Sequence, residues 1–69
     1  MTAYQTIKSA IYQCDLALYA YDRALTYAKR RRDSAEVTQL ETAITATIKR
    51  QLDLYDELQT LAKPINVAG

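Results

Sequence analysis

Histidine is absent from this 69-residue chain, which removes the commonest general base and the commonest metal ligand. The one cysteine, Cys14, excludes an internal disulfide and a cysteine-built zinc site. The single glycine, Gly69, and the single proline, Pro64, both lie near the C-terminal end. Everything before them lacks the turn chemistry that β-hairpins require. Phenylalanine and tryptophan are missing as well. The aromatic content is six tyrosines, a residue suited to half-buried positions where the ring packs and the hydroxyl stays wet. No apolar run approaches the roughly 18 residues of a membrane span. The start, Met1-Thr2-Ala3-Tyr4-Gln5, has neither the basic region nor the apolar core of a signal peptide. An unpaired cysteine with no export signal gives the expectation of a reducing, cytoplasmic setting.

What is present is a helix-forming composition, rich in Ala, Leu, Lys, Arg, Gln and Glu. Nine basic and eight acidic residues leave a formal charge of +1, which argues against a general nucleic-acid coat protein and against an acidic mimic of DNA. A chain this short is marginal alone unless a disulfide, a metal or oligomerisation supports it. Of the three, oligomerisation is left.

The first half carries a heptad seam. Tyr4, Ile7, Ile11, Cys14, Leu18, Tyr21, Leu25 and Ala28 follow one another at alternating steps of three and four. Ala3, Ala10, Ala17 and Ala24 recur beside it and leave a shallow groove for a close neighbour. The second half reads as a broader helical stripe of Val37, Leu40, Ile44, Ile48, Tyr55, Leu58, Leu61 and Ala62, flanked by Leu52 and Leu54. Gln51 falls inside that stripe and reads as a buried polar residue that sets register, the other reading being a position near the stripe's edge.

Lys29-Arg30-Arg31-Arg32-Asp33-Ser34 separates the halves. One uninterrupted helix would set the two stripes about 100° apart around its axis, so a turn is the better solution. Asp33 can cap the second helix, with Glu36 completing a capping box, while the basic run suits the negative end of the first helix. The expected fold is all-α: a two-helix antiparallel hairpin, coiled-coil-like, over residues 1–63, with helix 1 near 3–31, a turn near 32–33 and helix 2 near 34–62. Its rival is one long helix in an extended coiled coil. In the hairpin Lys8 falls near Glu57 and Asp15 near Lys49 and Arg50, pairs of opposite sign, whereas Asp22 falls nearer Glu41. Pro64 ends the second helix, and residues 64–69 form a tail. Two hairpins are expected to assemble into a four-helix bundle.

Function is sought in what the seam does not use. Tyr12, Leu16, Tyr19, Arg23 and Tyr27, with Ala20 among them, form a second stripe on helix 1. Tyr and Arg are enriched at protein interfaces, and a contiguous exposed patch of this kind marks a contact. The same stripe read blandly is ordinary surface tyrosine. The basic run Lys29, Arg30, Arg31 and Arg32, with Arg23 and Tyr27 a turn away, could grip phosphates and stack a base, or could be a solvated helix end. Catalysis finds no support. Asp53, Asp56 and Glu57 lack the histidines of a di-iron bundle, and Cys14 sits in the seam beside Asp15, which opposes thiolate formation. No nucleotide fingerprint is present, and no cofactor or metal is expected. The reading is a non-catalytic interaction module, an adaptor, assembly factor or inhibitor, that partners itself and another protein. The competing reading is an RNA- or DNA-binding regulator of the two-helix-dimer type, using the basic cluster at the hairpin tip. A membrane-surface role is disfavoured by Asp15 and Asp22 on helix 1.

Overall fold

The computed structural model describes residues 2–62 and consists there of two helices, α1 (Ala3–Arg30) and α2 (Ser34–Ala62), packed against each other as a helical hairpin. The tail expected from Pro64 onward lies outside the described residues.

The start of α1 is held by a device the sequence reading did not single out. Thr2 accepts the Gln5 backbone N–H at 3.1 Å, and the Gln5 side chain accepts the Thr2 backbone N–H at 3.1 Å. That is a reciprocal capping box, which satisfies two orphan donors of the first turn. At the other end the reversal is a Schellman arrangement. Asp33 N–H reaches the Ala28 carbonyl at 3.0 Å and Arg32 N–H reaches the Lys29 carbonyl at 3.1 Å. Such a cap needs a left-handed residue, a role usually filled by glycine. Here Arg32 takes it, with φ 58°.

The second helix starts on Asp33, whose carboxylate accepts the Glu36 backbone N–H at 3.1 Å. The expected capping box is only half formed. The Glu36 side chain turns instead to Arg31, with which it makes an ion pair across the turn. Both cap and cross-turn pair tie the end of α1 to the beginning of α2.

The α1 seam follows the heptad reading through its middle. Ile11, Cys14 and Ala28 are buried, and Ile7, Leu18, Tyr21 and Leu25 are half-buried. Tyr4, at the outer end, is 44% exposed. The α2 seam differs from the expected stripe. Its inward residues are Val37, Leu40, Ile44, Thr47, Gln51, Leu54 and Leu58, a strict alternation of threes and fours. Leu54, read from sequence as a flank, is the buried residue of α2, packed with Ile11 and Cys14. Ile48 and Tyr55, read as seam residues, stand outside it.

Two polar residues occupy the α2 seam, and each is satisfied. The Thr47 hydroxyl donates to the Ala43 carbonyl of its own helix at 2.8 Å. Gln51 donates its side-chain amide to the Asp15 carboxylate and, at 3.5 Å, toward the Ile11 carbonyl. The same self-bonding of threonine hydroxyls recurs at Thr38, Thr42 and Thr60, which lets α2 carry these residues along its outer surface.

The ion pairs expected between the helices are not formed. Among the described residues, Lys8 makes no ion pair with Glu57, and Asp15 meets Gln51 rather than Lys49 or Arg50. The long charged side chains stay in solvent, where such pairs are worth little.

Candidate functional site

The hairpin is a layer one helix thick, its two helices each about 42–44 Å long at ~1.5 Å per residue. A single layer has two broad faces and no interior between sheets of structure, so apolar residues off the seam have nothing of their own chain to cover them. Among the described residues only Ile11, Cys14, Ala28 and Leu54 are buried.

The two faces differ. One is bordered by the alanine row: Ala10 and Ala17 line a groove with Gln13, Cys14, Thr47 and Arg50, and Ala3 and Ile7 line its continuation with Asp56, Glu57 and Leu61. The other is the side on which Gln51 reaches Asp15. Helical spacing places Lys8, Asp15 and Asp22 of α1 on this second face, with Tyr12 and Tyr19 next to them. From α2 it receives Glu41, Ile48 and Tyr55, with Leu52 adjacent.

This second face carries exposed apolar side chains from both helices. Tyr12 is 59% exposed and Tyr19 67%, while on α2 Ile48 is 43%, Leu52 60% and Tyr55 44% exposed. The sequence reading of the stripe saw the α1 half and missed the α2 half. Ile48 and Tyr55 continue an apolar rhythm that Thr47 and Gln51 interrupt, so periodicity alone places them in the seam.

The remaining members of the expected stripe are placed differently. Leu16 and Arg23 are exposed on the outer edge of α1, and Tyr27 lies further round, away from Tyr12 and Tyr19. The Arg23 guanidinium lies over the Tyr19 ring, 6.0 Å from its centroid. The Arg30 guanidinium lies over Tyr27 at 5.9 Å, and the Lys8 ammonium over Tyr4 at 5.6 Å. Each contact joins residues three or four apart on one helix surface and contributes on the order of 0.5–1 kcal/mol where exposed.

The basic tip is exposed, yet parts of it are engaged within the chain. Arg31 is paired with Glu36, and Arg30 is stacked on Tyr27. Lys29 and Arg32 point to no carboxylate among the described residues. No group of three cysteine, aspartate or glutamate side chains converges as a metal cage would require among the described residues. Cys14 is a free, buried thiol packed in the seam. No helix among the described residues is long and apolar enough to cross a membrane.

Comparison with known proteins returns no matching family model, no similar curated protein and no similar solved structure.

Proposed function

We propose that the chain is a non-catalytic protein–protein interaction module, an adaptor, assembly factor or inhibitor, that works in the cytoplasm. In this reading the hairpin is an antiparallel helix pair that self-associates into a four-helix bundle and presents a helical face to another protein. The observation that carries it is the apolar face built jointly by Tyr12 and Tyr19 of α1 and Ile48, Leu52 and Tyr55 of α2, on a layer with no second layer of its own. Exposed apolar side chains gathered on one face of a small protein mark a contact site.

The size fits the role. Two helices side by side, each about 42–44 Å long at ~1.5 Å per residue, present a face on the scale of the roughly 800 Å² per partner that a standard interface buries. Tyrosine, leucine and isoleucine suit such interfaces, and Asp15, the charge among them, is bonded by Gln51, with Lys8 and Asp22 toward the ends of the patch. Arg23, held over Tyr19, is a polar margin for the same patch.

Sedimentation of the purified chain tests the reading, and a species of at least twice the 7.8 kDa chain mass is expected. Tyr19→Asp, which sets a charge on the face without touching the seam, should return the protein to a folded or partly folded monomer. A well-folded monomer at high concentration for the unaltered chain would sink self-association. An unchanged mass and unchanged partner capture in Tyr19→Asp would remove this face from the mechanism.

The nucleic-acid reading rests on Lys29, Arg30, Arg31 and Arg32. It has less support, because Arg31 and Arg30 already have partners inside the chain.

A further inference from the structure

We propose that the occupant of the Tyr12–Tyr19–Ile48–Leu52–Tyr55 face is a second copy of this chain laid on it in the reversed direction, so that Lys8 of each copy meets Asp22 of the other. The proposal rests on the self-association put forward above and adds its geometry.

The lone hairpin leaves a charge pattern unresolved. The register set by Gln51 against Ile11 and Asp15 brings Asp22 level with Glu41. Both belong to the face in question, both are exposed, and neither has a cationic partner among the described residues. Two carboxylates side by side at one level repel modestly in solvent, and the repulsion grows when the face is covered. Lys8 stands on the same face toward the open end of the hairpin. It also lacks a carboxylate partner among the described residues, and its ammonium rests over Tyr4.

Two face-to-face arrangements of identical layers keep a two-fold axis. If the copies run in the same direction, equal heights coincide. Asp22 and Glu41 of both copies then gather at one level, four carboxylates with no cation. If the copies run in opposite directions, heights on either side of the axis exchange. Counting ~1.5 Å per residue, Asp22 lies roughly 12 Å to the tip side of the middle of the apolar patch and Lys8 roughly 9 Å to the other side. Reversal therefore brings Lys8 within a helical turn of the partner's Asp22, twice by symmetry. It also sets Ile48 against the partner's Leu52 and the reverse, so the apolar middle closes on itself. Apolar contact is satisfied by either direction. Reversal also sets Asp15, bonded by Gln51, beside its own copy near the axis. One such carboxylate pair with two Lys8–Asp22 pairs is still better than four carboxylates with no cation, so charge selects the reversed arrangement.

Asp22→Lys separates the arrangements in sign. In the reversed dimer it sets Lys8 against a new cation at two symmetric margins, and the dissociation constant should rise on the order of tenfold. In the same-direction dimer it neutralises the carboxylate cluster and should tighten association, which would overturn the proposal. The double exchange Lys8→Asp with Asp22→Lys should restore the original affinity. A second readout does not depend on affinity. With Cys14→Ala and Ser34→Cys, spin labels at the two tips should lie on the order of 50 Å apart when reversed, and within about 20 Å when parallel. A short tip-to-tip distance in a sedimenting dimer overturns the orientation alone. An unaltered chain that sediments as a monomer overturns the self-association beneath it.

Discussion

Gln51 crosses from α2 to bond the carboxylate of Asp15 on α1, the polar tie between the two helices among the described residues. It sits where a heptad would place leucine, between Thr47 and Leu54. Because Asp15 is exposed, water can replace the amide once it is removed. Gln51→Leu is therefore expected to raise stability by about 1 kcal/mol while relaxing register. Urea unfolding measures the first and amide spectral dispersion the second. A fall of similar size would show that the Asp15 bond outweighs the apolar gain.

Leu52 and Leu54 differ by two positions and have opposite roles. Leu54 is 7% exposed in the seam and Leu52 60% exposed on the face. Leu54→Ala should lower the folding free energy by about 3 kcal/mol, as buried leucine truncations do. Leu52→Ala should leave the hairpin's secondary structure intact and weaken association. Circular dichroism with sedimentation on both variants checks the contrast, and equal behaviour of the two would refute the seam described.

Arg32 holds a left-handed conformation at φ 58°, which costs an L-residue with a Cβ roughly 1 kcal/mol. Arg32→Gly is expected to recover much of that and raise Tm by several degrees. Arg32→Val should lower it, since branching at Cβ makes this region worse still.

Asp33 is the cap of α2 through the Glu36 backbone N–H at 3.1 Å. Asp33→Ala is expected to cost about 1 kcal/mol, and Asp33→Asn or Asp33→Ser much less. Thermal unfolding distinguishes them. Equal losses in all three would mean that charge near the arginines, rather than capping, is what Asp33 supplies.

Replacing Arg30, Arg31 and Arg32 together with alanine removes one exposed ion pair and one ring contact, together worth about 2 kcal/mol at most. The dimer should persist. Should the unaltered chain bind an oligonucleotide probe with an affinity that falls steeply with salt, and the triple variant lose it, the tip would be a phosphate site after all.

Much of the fold could be read from the chain because the information is local. The α1 heptads are apolar at nearly every step, and the lack of internal glycine or proline leaves helix as the sole consistent choice. The α2 seam was less legible. Thr47 and Gln51 are polar by composition, and only their bonds to Ala43, Asp15 and Ile11 let them face inward. A periodicity reading skips such residues and moves the stripe round to Ile48 and Tyr55. The same slip hid half of the candidate face. Thr2 with Gln5 is a capping signature legible in the sequence, whereas the turn of Glu36 toward Arg31 depends on three-dimensional proximity at the reversal.

Ala28 is fully enclosed at the bend, while Tyr4 and Leu61 at the far end are about half uncovered. The hairpin therefore resembles a pair of tongs, gripped at its pivot and loosest at its prongs. Separation of the legs should begin at the prongs and travel toward the pivot, so amide protons near Ala28 would outlast those near Tyr4 and Leu61.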